Sequence, residues 1–329
     1  MIRRSAIQAI LLTSWVGQGC SAGATSRSDD DTAASTGEQT SAPEPLLYAP
    51  VVEWERYEYD GFPVRQYIPP EPKGLVFVYH GSSGDIGFVN KIETVATLNA
   101  LIVAGIGFVA TESDDRTTEK WDVSTSSLED NADLTRLDGL YQNVMDTTEI
   151  SKVTPIFALG FSNGGVFSGV FGLAALDQGW PIAAVFPHMS GCASCFGSPI
   201  PTAFVEALND PRFGVEEVVS EHLDRGIPAK HFLVPEQLVH PLYFTKNPTV
   251  TDGRSQNAYD DLVALQLIDP DGHRTVPTED AEQWTEWYAN NGTVFGASFR
   301  AEELKVAWAL HRMNAFYALE VRDFALDQL

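Results

Sequence analysis

The sequence predicts an α/β fold, a mostly parallel sheet with helices on both faces, and three observations carry that expectation. Apolar runs such as "LVFVY" (75–79) and "IFALGF" (156–161) are continuous rather than alternating, as in strands buried on both faces. From residue 74 to 234 such runs alternate with stretches of helical spacing, the order that builds a parallel sheet through crossover helices. The chain has 329 residues, 44% of them hydrophobic, enough for a sizeable core in one large or two modest domains.

The N-terminus is expected to stand apart from that fold. "MIRRSAIQAILLTSWVGQGC" (1–20) sets two arginines before a short apolar stretch and small residues, the make-up of an export signal and too short for a permanent bilayer span. Cys20, after Gly17-Gln18-Gly19, resembles the lipidated cysteine of a bacterial lipoprotein box, which would anchor the protein to a membrane. Ordinary cleavage after Ala24 is the competing reading. Residues 21–45 read as a disordered polar tether with too few apolar groups to offset ordering entropy, so the folded domain is expected over 46–329.

The elements follow in order. "VVEWERYEYDGFPVRQYIPP" (51–70) is a hairpin turning at Asp60-Gly61. "LVFVYHG" is a buried strand, Ile86 to Leu101 has helical spacing, and "GFVATES" returns to strand. "NADLTRLDGLYQNVMDTTEI" is an amphipathic helix opened by Asn131. The next strand ends at Ser162, and a helix runs from there to about Gln178. Strands "IAAVFPHMSG" and "TAFVEAL", a helix from Phe213 to Arg225 and strand "AKHFLVP" complete the alternation. From about 236 to 298 prolines, a turn at "DPDGH" and the amphipathic piece "SQNAYDDLVALQLI" suggest an inserted cap. "RAEELKVAWALHRMNAFYALEVRDFAL" then closes the chain as helix.

Ligands of open α/β sheets bind outside the carboxyl ends of the strands, and candidate chemistry falls there. Gly160-Phe161-Ser162-Asn163-Gly164 is a G-x-S-x-G between a buried strand and a small-residue helix, which makes Ser162 a candidate nucleophile rather than an ordinary turn serine. His80-Gly81-Ser82-Ser83-Gly84-Asp85 ends the strand "LVFVY". With these two features the chain, from about Val51 to Leu329, resembles the α/β-hydrolase superfamily. The Ser-Asn-Gly-Gly run is loosely similar to polyhydroxyalkanoate depolymerases and feruloyl or acetyl-xylan esterases. The resemblance implies an oxyanion hole from the backbone N–H groups of Ser82 and Asn163, and leaves His80 a structural role.

The superfamily order of nucleophile, acid and histidine places the acid at Asp210, with helix capping as its bland alternative and Asp252 as its rival. Five histidines follow Asp210. His222 in a helix and His231 in a strand read as packing or surface residues. His311 leads because "EELKVAWALH" resembles a closing E-L-x-V-A-x-A-x-H pattern of some α/β hydrolases, although helical spacing would put it on a face with Leu304, Ala307 and Trp308. His273 in "DPDGHRT" and His240 are the alternatives. A cap over 236–298 would sit over the site, where Trp284, Trp287 and Tyr288 either line a pocket or, as such stripes more often do, make core.

These features imply an exported serine hydrolase cleaving a small-molecule or polymeric carboxylic ester through an acyl-enzyme, a reaction that calls for no metal or organic cofactor. A catalytically inactive binding protein on the same scaffold, and a peptidase or thioesterase with the same residues, are the alternatives. The net charge of −24 excludes nucleic acid as a partner and disfavours polyanionic substrates. Besides Cys20, only Cys192 and Cys195 occur. In an exported chain they suggest a local disulfide, because no second pair of soft ligands accompanies them for zinc.

Overall fold

The structure, a computed structural model, describes residues 44–210, 214–294 and 296–329. The export signal, Cys20 and most of the tether lie outside the described residues, as do Pro211 and the expected helix start at Phe213. From Pro45 to Leu329 the chain forms one compact unit.

Strands β1 (Glu55–Tyr59) and β2 (Phe62–Tyr67) form the hairpin. Its two turn residues, Asp60 and Gly61, both have positive φ, 49° and 78°, as a two-residue turn between twisted strands requires. Parallel pairing then joins β3 (Gly74–Tyr79), β4 (Ile106–Ala110), β5 (Ile156–Phe161), β6 (Ile182–His188), β7 (Thr202–Ala207) and β8 (Ala229–Val234). The order across the sheet is β1-β2-β4-β3-β5-β6-β7-β8, with β2 alone reversed. This is the α/β-hydrolase fold.

The continuous apolar runs are buried on both faces. Along β3, Val76 and Val78 face a cluster with Leu98 of α1 (Ile92–Val103) and Phe324 of α8 (Ala318–Leu326). Leu75, Phe77 and Tyr79 face the other way, onto Leu137 and Tyr141 of α2 (Ala132–Thr147) and Phe167 and Phe171 of α3 (Asn163–Asp177). Full burial stabilises by about 1.5–3 kcal/mol per large apolar side chain, so the two faces hold the sheet rigid beneath the strand ends. Asn131 caps α2 by accepting from Leu134 N at 3.2 Å.

Beyond α4 (Val215–Asp224) and β8 the chain builds a separate apolar cluster. Helices α5 (Asp252–Ala264) and α6 (Ala281–Asn291) pack there with α7 (Ala297–Ala307) around Phe244, Leu262, Leu304 and Trp308. Tyr288 is fully buried in this cluster, Trp284 packs against it, and Trp287 keeps 37% exposure. Of the three aromatic residues of α6, Tyr288 is therefore core, Trp284 flanks it and Trp287 lies at the surface.

The closing segment corrects one expectation, because it is not a continuous helix. α7 stops at Ala307, and Leu310 N reaches back to Lys305 O (2.9 Å) while Ala309 N reaches Val306 O (3.1 Å). This pair of bonds is a Schellman stop, with Ala309 at φ 50° where glycine usually sits. His311 consequently lies on the loop between α7 and α8, off the helical face it would have shared with Leu304.

Candidate active site

The site is built where β5 meets α3. Ser162 occupies the turn with φ 55° and ψ −119°, a conformation a non-glycine residue adopts only when its surroundings impose it. Its N–H donates to His188 O at the end of β6 (2.9 Å), and its carbonyl accepts from Val166 N (3.1 Å). Close approach explains the flanking glycines: a Cβ on Gly160 would strike the Gly164 carbonyl, and one on Gly164 would strike the Tyr79 and His80 carbonyls.

The loop after β3 lies against this turn. A Cβ on Gly81 would come within 3.2 Å of Ser162 Cβ, which puts the backbone leading into Ser82 beside the hydroxyl. Asn163 opens α3, and the first-turn N–H groups of a helix lack intrahelical acceptors and favour negative charge. Its side chain is committed elsewhere, accepting from Trp121 N (2.8 Å) and donating to Trp121 O (3.2 Å). Trp121 is 2% exposed, stacks on Phe167, and donates Nε1–H to His80 O (3.1 Å). One buried tryptophan thus holds both walls of the Ser162 turn. The sequence signal for it was a tryptophan set in the polar run "DDRTTEKWDVSTSS".

The structure brings Ser162, His311 and Asp210 into one hydrogen-bonded row. His311 Nε2 lies 2.9 Å from Ser162 Oγ, and its Nδ1 lies 2.5 Å from Asp210 Oδ2. A carboxylate only accepts, so Nδ1 carries the hydrogen and Nε2 is left to accept from the serine hydroxyl. The Phe161 ring supports the imidazole at a centroid distance of 5.0 Å.

Asn209 ties the row together, a role its position beside Asp210 did not reveal. Its backbone N–H donates to Ala309 O (3.1 Å), and its amide donates to Trp308 O (2.8 Å) and to Glu236 Oε1 (2.5 Å). The turn carrying Asp210 and the loop carrying His311 are therefore joined directly, ninety-nine residues apart in sequence at the Trp308 contact. Glu236 is in turn paired to Arg274 at 2.6 Å.

Among the described residues no other imidazole is hydrogen-bonded to Ser162 Oγ. His80 is buried, with Nε2 accepting from Ser113 N (3.1 Å) and Nδ1–H donating to Gly81 O (2.8 Å). Burial lowers its pKa, and neither nitrogen is left to act as a base. His188 is buried with no hydrogen-bond partner for either ring nitrogen among the described residues, and burial pushes its pKa down to about 3. His222 is held by Ile200 O (3.1 Å) and Val218 O (3.1 Å), and His231 by Glu206 (3.0 Å). His240 accepts from Leu242 N. His273 is exposed in the 269–273 turn, bonded through its backbone to Asp269, and Asp252 is exposed in the first turn of α5. Neither of these last two joins the row.

Cys192 and Cys195 form a disulfide in the turn after β6. It packs against α3, where a Cβ on Gly169 would strike Cys192 Sγ. Among the described residues no group of three or more His, Cys, Asp or Glu side chains is placed to hold a metal ion.

No family model matches the chain, and no curated protein does. Solved structures do. An arylesterase matches at TM-score 0.44 and 16% identity, over 64% of this chain and 84% of that one. An esterase from the hyperthermophilic archaeon Pyrobaculum calidifontis matches at 0.41 and 15%, over 65% and 83%. Est1E from Butyrivibrio proteoclasticus, bound to ferulic acid, matches at 0.39 and 13%, over 64% and 99%. At these values the likeness carries no inference about activity or substrate, which must come from the geometry.

Proposed function

We propose that the protein is a serine hydrolase of carboxylic esters, with Ser162 as nucleophile, His311 as base and Asp210 as the acid that orients it. The hydrogen-bonded row from Ser162 Oγ through His311 to Asp210 carries this reading. As Ser162 Oγ attacks the ester carbonyl carbon, its proton passes to His311 Nε2 and the carbonyl oxygen becomes an oxyanion. The backbone N–H groups of Ser82 and Asn163 receive that charge, a contribution worth roughly 3–4 kcal/mol per donor in comparable sites. The C–O bond to the alcohol then breaks as His311 returns the proton to the departing oxygen. Water repeats the sequence on the acyl-enzyme, giving its proton to His311 and releasing the acid, and Ser162 recovers its hydrogen. The steps use protein groups and water alone.

The strained Ser162 backbone, held by His188 O, favours this role over that of an incidental turn serine. Purified protein is expected to hydrolyse short p-nitrophenyl esters, and Ser162→Ala to lose at least 10³-fold in kcat. Full turnover by Ser162→Ala would overturn the proposal, and parallel thioester and amide assays would reveal a thioesterase or peptidase.

The reading extends to place. An export signal over 1–20 and a disulfide, which persists in oxidising compartments, both support a protein acting outside the cytoplasm. Metabolic incorporation of palmitate, abolished by Cys20→Ser, is the outcome expected for a membrane-anchored form. Unlabelled protein with an N-terminus after Ala24 is expected for a secreted one.

A further inference from the structure

Beside the Ser162–His311 row lies a cavity of 360 Å3, between the start of α1, the end of α7 and the loop that carries His311. Phe161 belongs to both: its ring stacks on Phe88 at a centroid distance of 6.0 Å in the cavity wall and packs against His311 at 5.0 Å. Ile92 and Val306 supply apolar surface from α1 and α7, and Met313 supplies it from the loop. Of the charged groups along the lining, Lys91 is exposed at its edge and the others are engaged in ion pairs. Arg312 pairs with Glu302 (2.7 Å), and Lys246 pairs with Glu93 (2.6 Å) and Glu303 (2.7 Å). Glu93 also accepts from Ala315 N (2.8 Å). What remains for a ligand is mainly the apolar surface, in a space of the size that small-molecule sites commonly have.

We infer that this cavity receives an apolar portion of the ester and selects medium-length or single-ring groups. The inference rests on the proposed ester hydrolysis. About 150 Å3 is enough to hold benzene, so 360 Å3 takes a chain of roughly eight carbons or one substituted ring, with longer chains meeting the buried Glu93–Lys246–Glu303 cluster. Pressing methylenes onto that cluster would displace no charge and gain no apolar contact, so the benefit of added length stops there. The same apolar group could belong to the acid or to the alcohol, and the substrates below separate the two.

The experiment measures kcat/KM for p-nitrophenyl esters from acetate to hexadecanoate, and for acetates of alcohols from ethanol to hexadecanol. In wild type, one series is expected to peak near six to eight carbons. Val306→Phe and Ile92→Phe fill the space from two different helices, and each is expected to lower the octyl-to-ethyl chain-length ratio in that same series at least tenfold. Phe88→Ala, which enlarges it, is expected to move the peak to longer chains. The ratio is read within each variant, and fluorophosphonate labelling of Ser162 certifies that the variant is folded and competent. Labelled filling variants whose ratios stay within twofold of wild type in both series would overturn the pocket while leaving the hydrolase reading intact. A wild type that turns over no ester in either series would overturn both.

Discussion

At the scale of single residues, the site depends on side chains that never touch a reacting atom. Asn209 fixes the distance between Asp210 and His311 through Trp308 O and Ala309 O. Misplacing a catalytic group by about 1 Å can cost 10²-fold in rate, so Asn209→Ala is expected to lower kcat by roughly that factor while KM moves less. An unchanged kcat would remove Asn209 from the positioning role. His188 gives a different kind of expectation. Its folded pKa of about 3 lies below the ordinary value near 6.5, so the unfolded chain binds the proton more readily. The stability tied to its neutral form is therefore complete above pH 6.5 and lost as pH falls toward 3. Between pH 7 and pH 4.5 this amounts to about 3 kcal/mol. Urea unfolding of His188→Leu is expected to show a pH dependence smaller by that amount, and an identical dependence would contradict it.

At the scale of elements, legibility followed the local signals. The hairpin at Asp60-Gly61, the Asn131 cap and the strand–serine–helix unit around Ser162 could be read because each uses a residue type whose backbone or side chain serves that purpose. The end of α7 could not. Its stop rests on Ala309 in the left-handed region, where no glycine announces it, and a helical period simply continues through "VAWALH". His311 was therefore legible by its order after Asp210 and its motif, while its loop was not. Its tie to Asn209 spans most of a hundred residues and belongs to tertiary structure alone. Because the left-handed conformation costs an alanine about 1 kcal/mol, Ala309→Gly is expected to raise Tm by about 2–4 °C. A lowered Tm would mean that the alanine methyl makes a packing contribution larger than that strain.

At the scale of the whole molecule, the unit from Pro45 onward carries the sheet, the separate α5–α7 cluster and the candidate site together. Its first residues are structural: buried Asn99 donates to Leu47 O and Ala49 O and accepts from Val51 N. A chain beginning at Pro45 is expected to keep its Tm, whereas one beginning at Val52 leaves the Asn99 amide unpaired and loses about 1–3 kcal/mol. Equal Tm values would show that these contacts are dispensable. The central claim is that Ser162 is a nucleophile activated by His311. Its most direct test is mass spectrometry of intact protein treated with a fluorophosphonate probe, on wild type, His311→Ala and His273→Ala. One adduct on Ser162 is expected in wild type and in His273→Ala, and at most trace labelling in folded His311→Ala. Unlabelled wild type, or labelling lost in His273→Ala and kept in His311→Ala, would contradict the account.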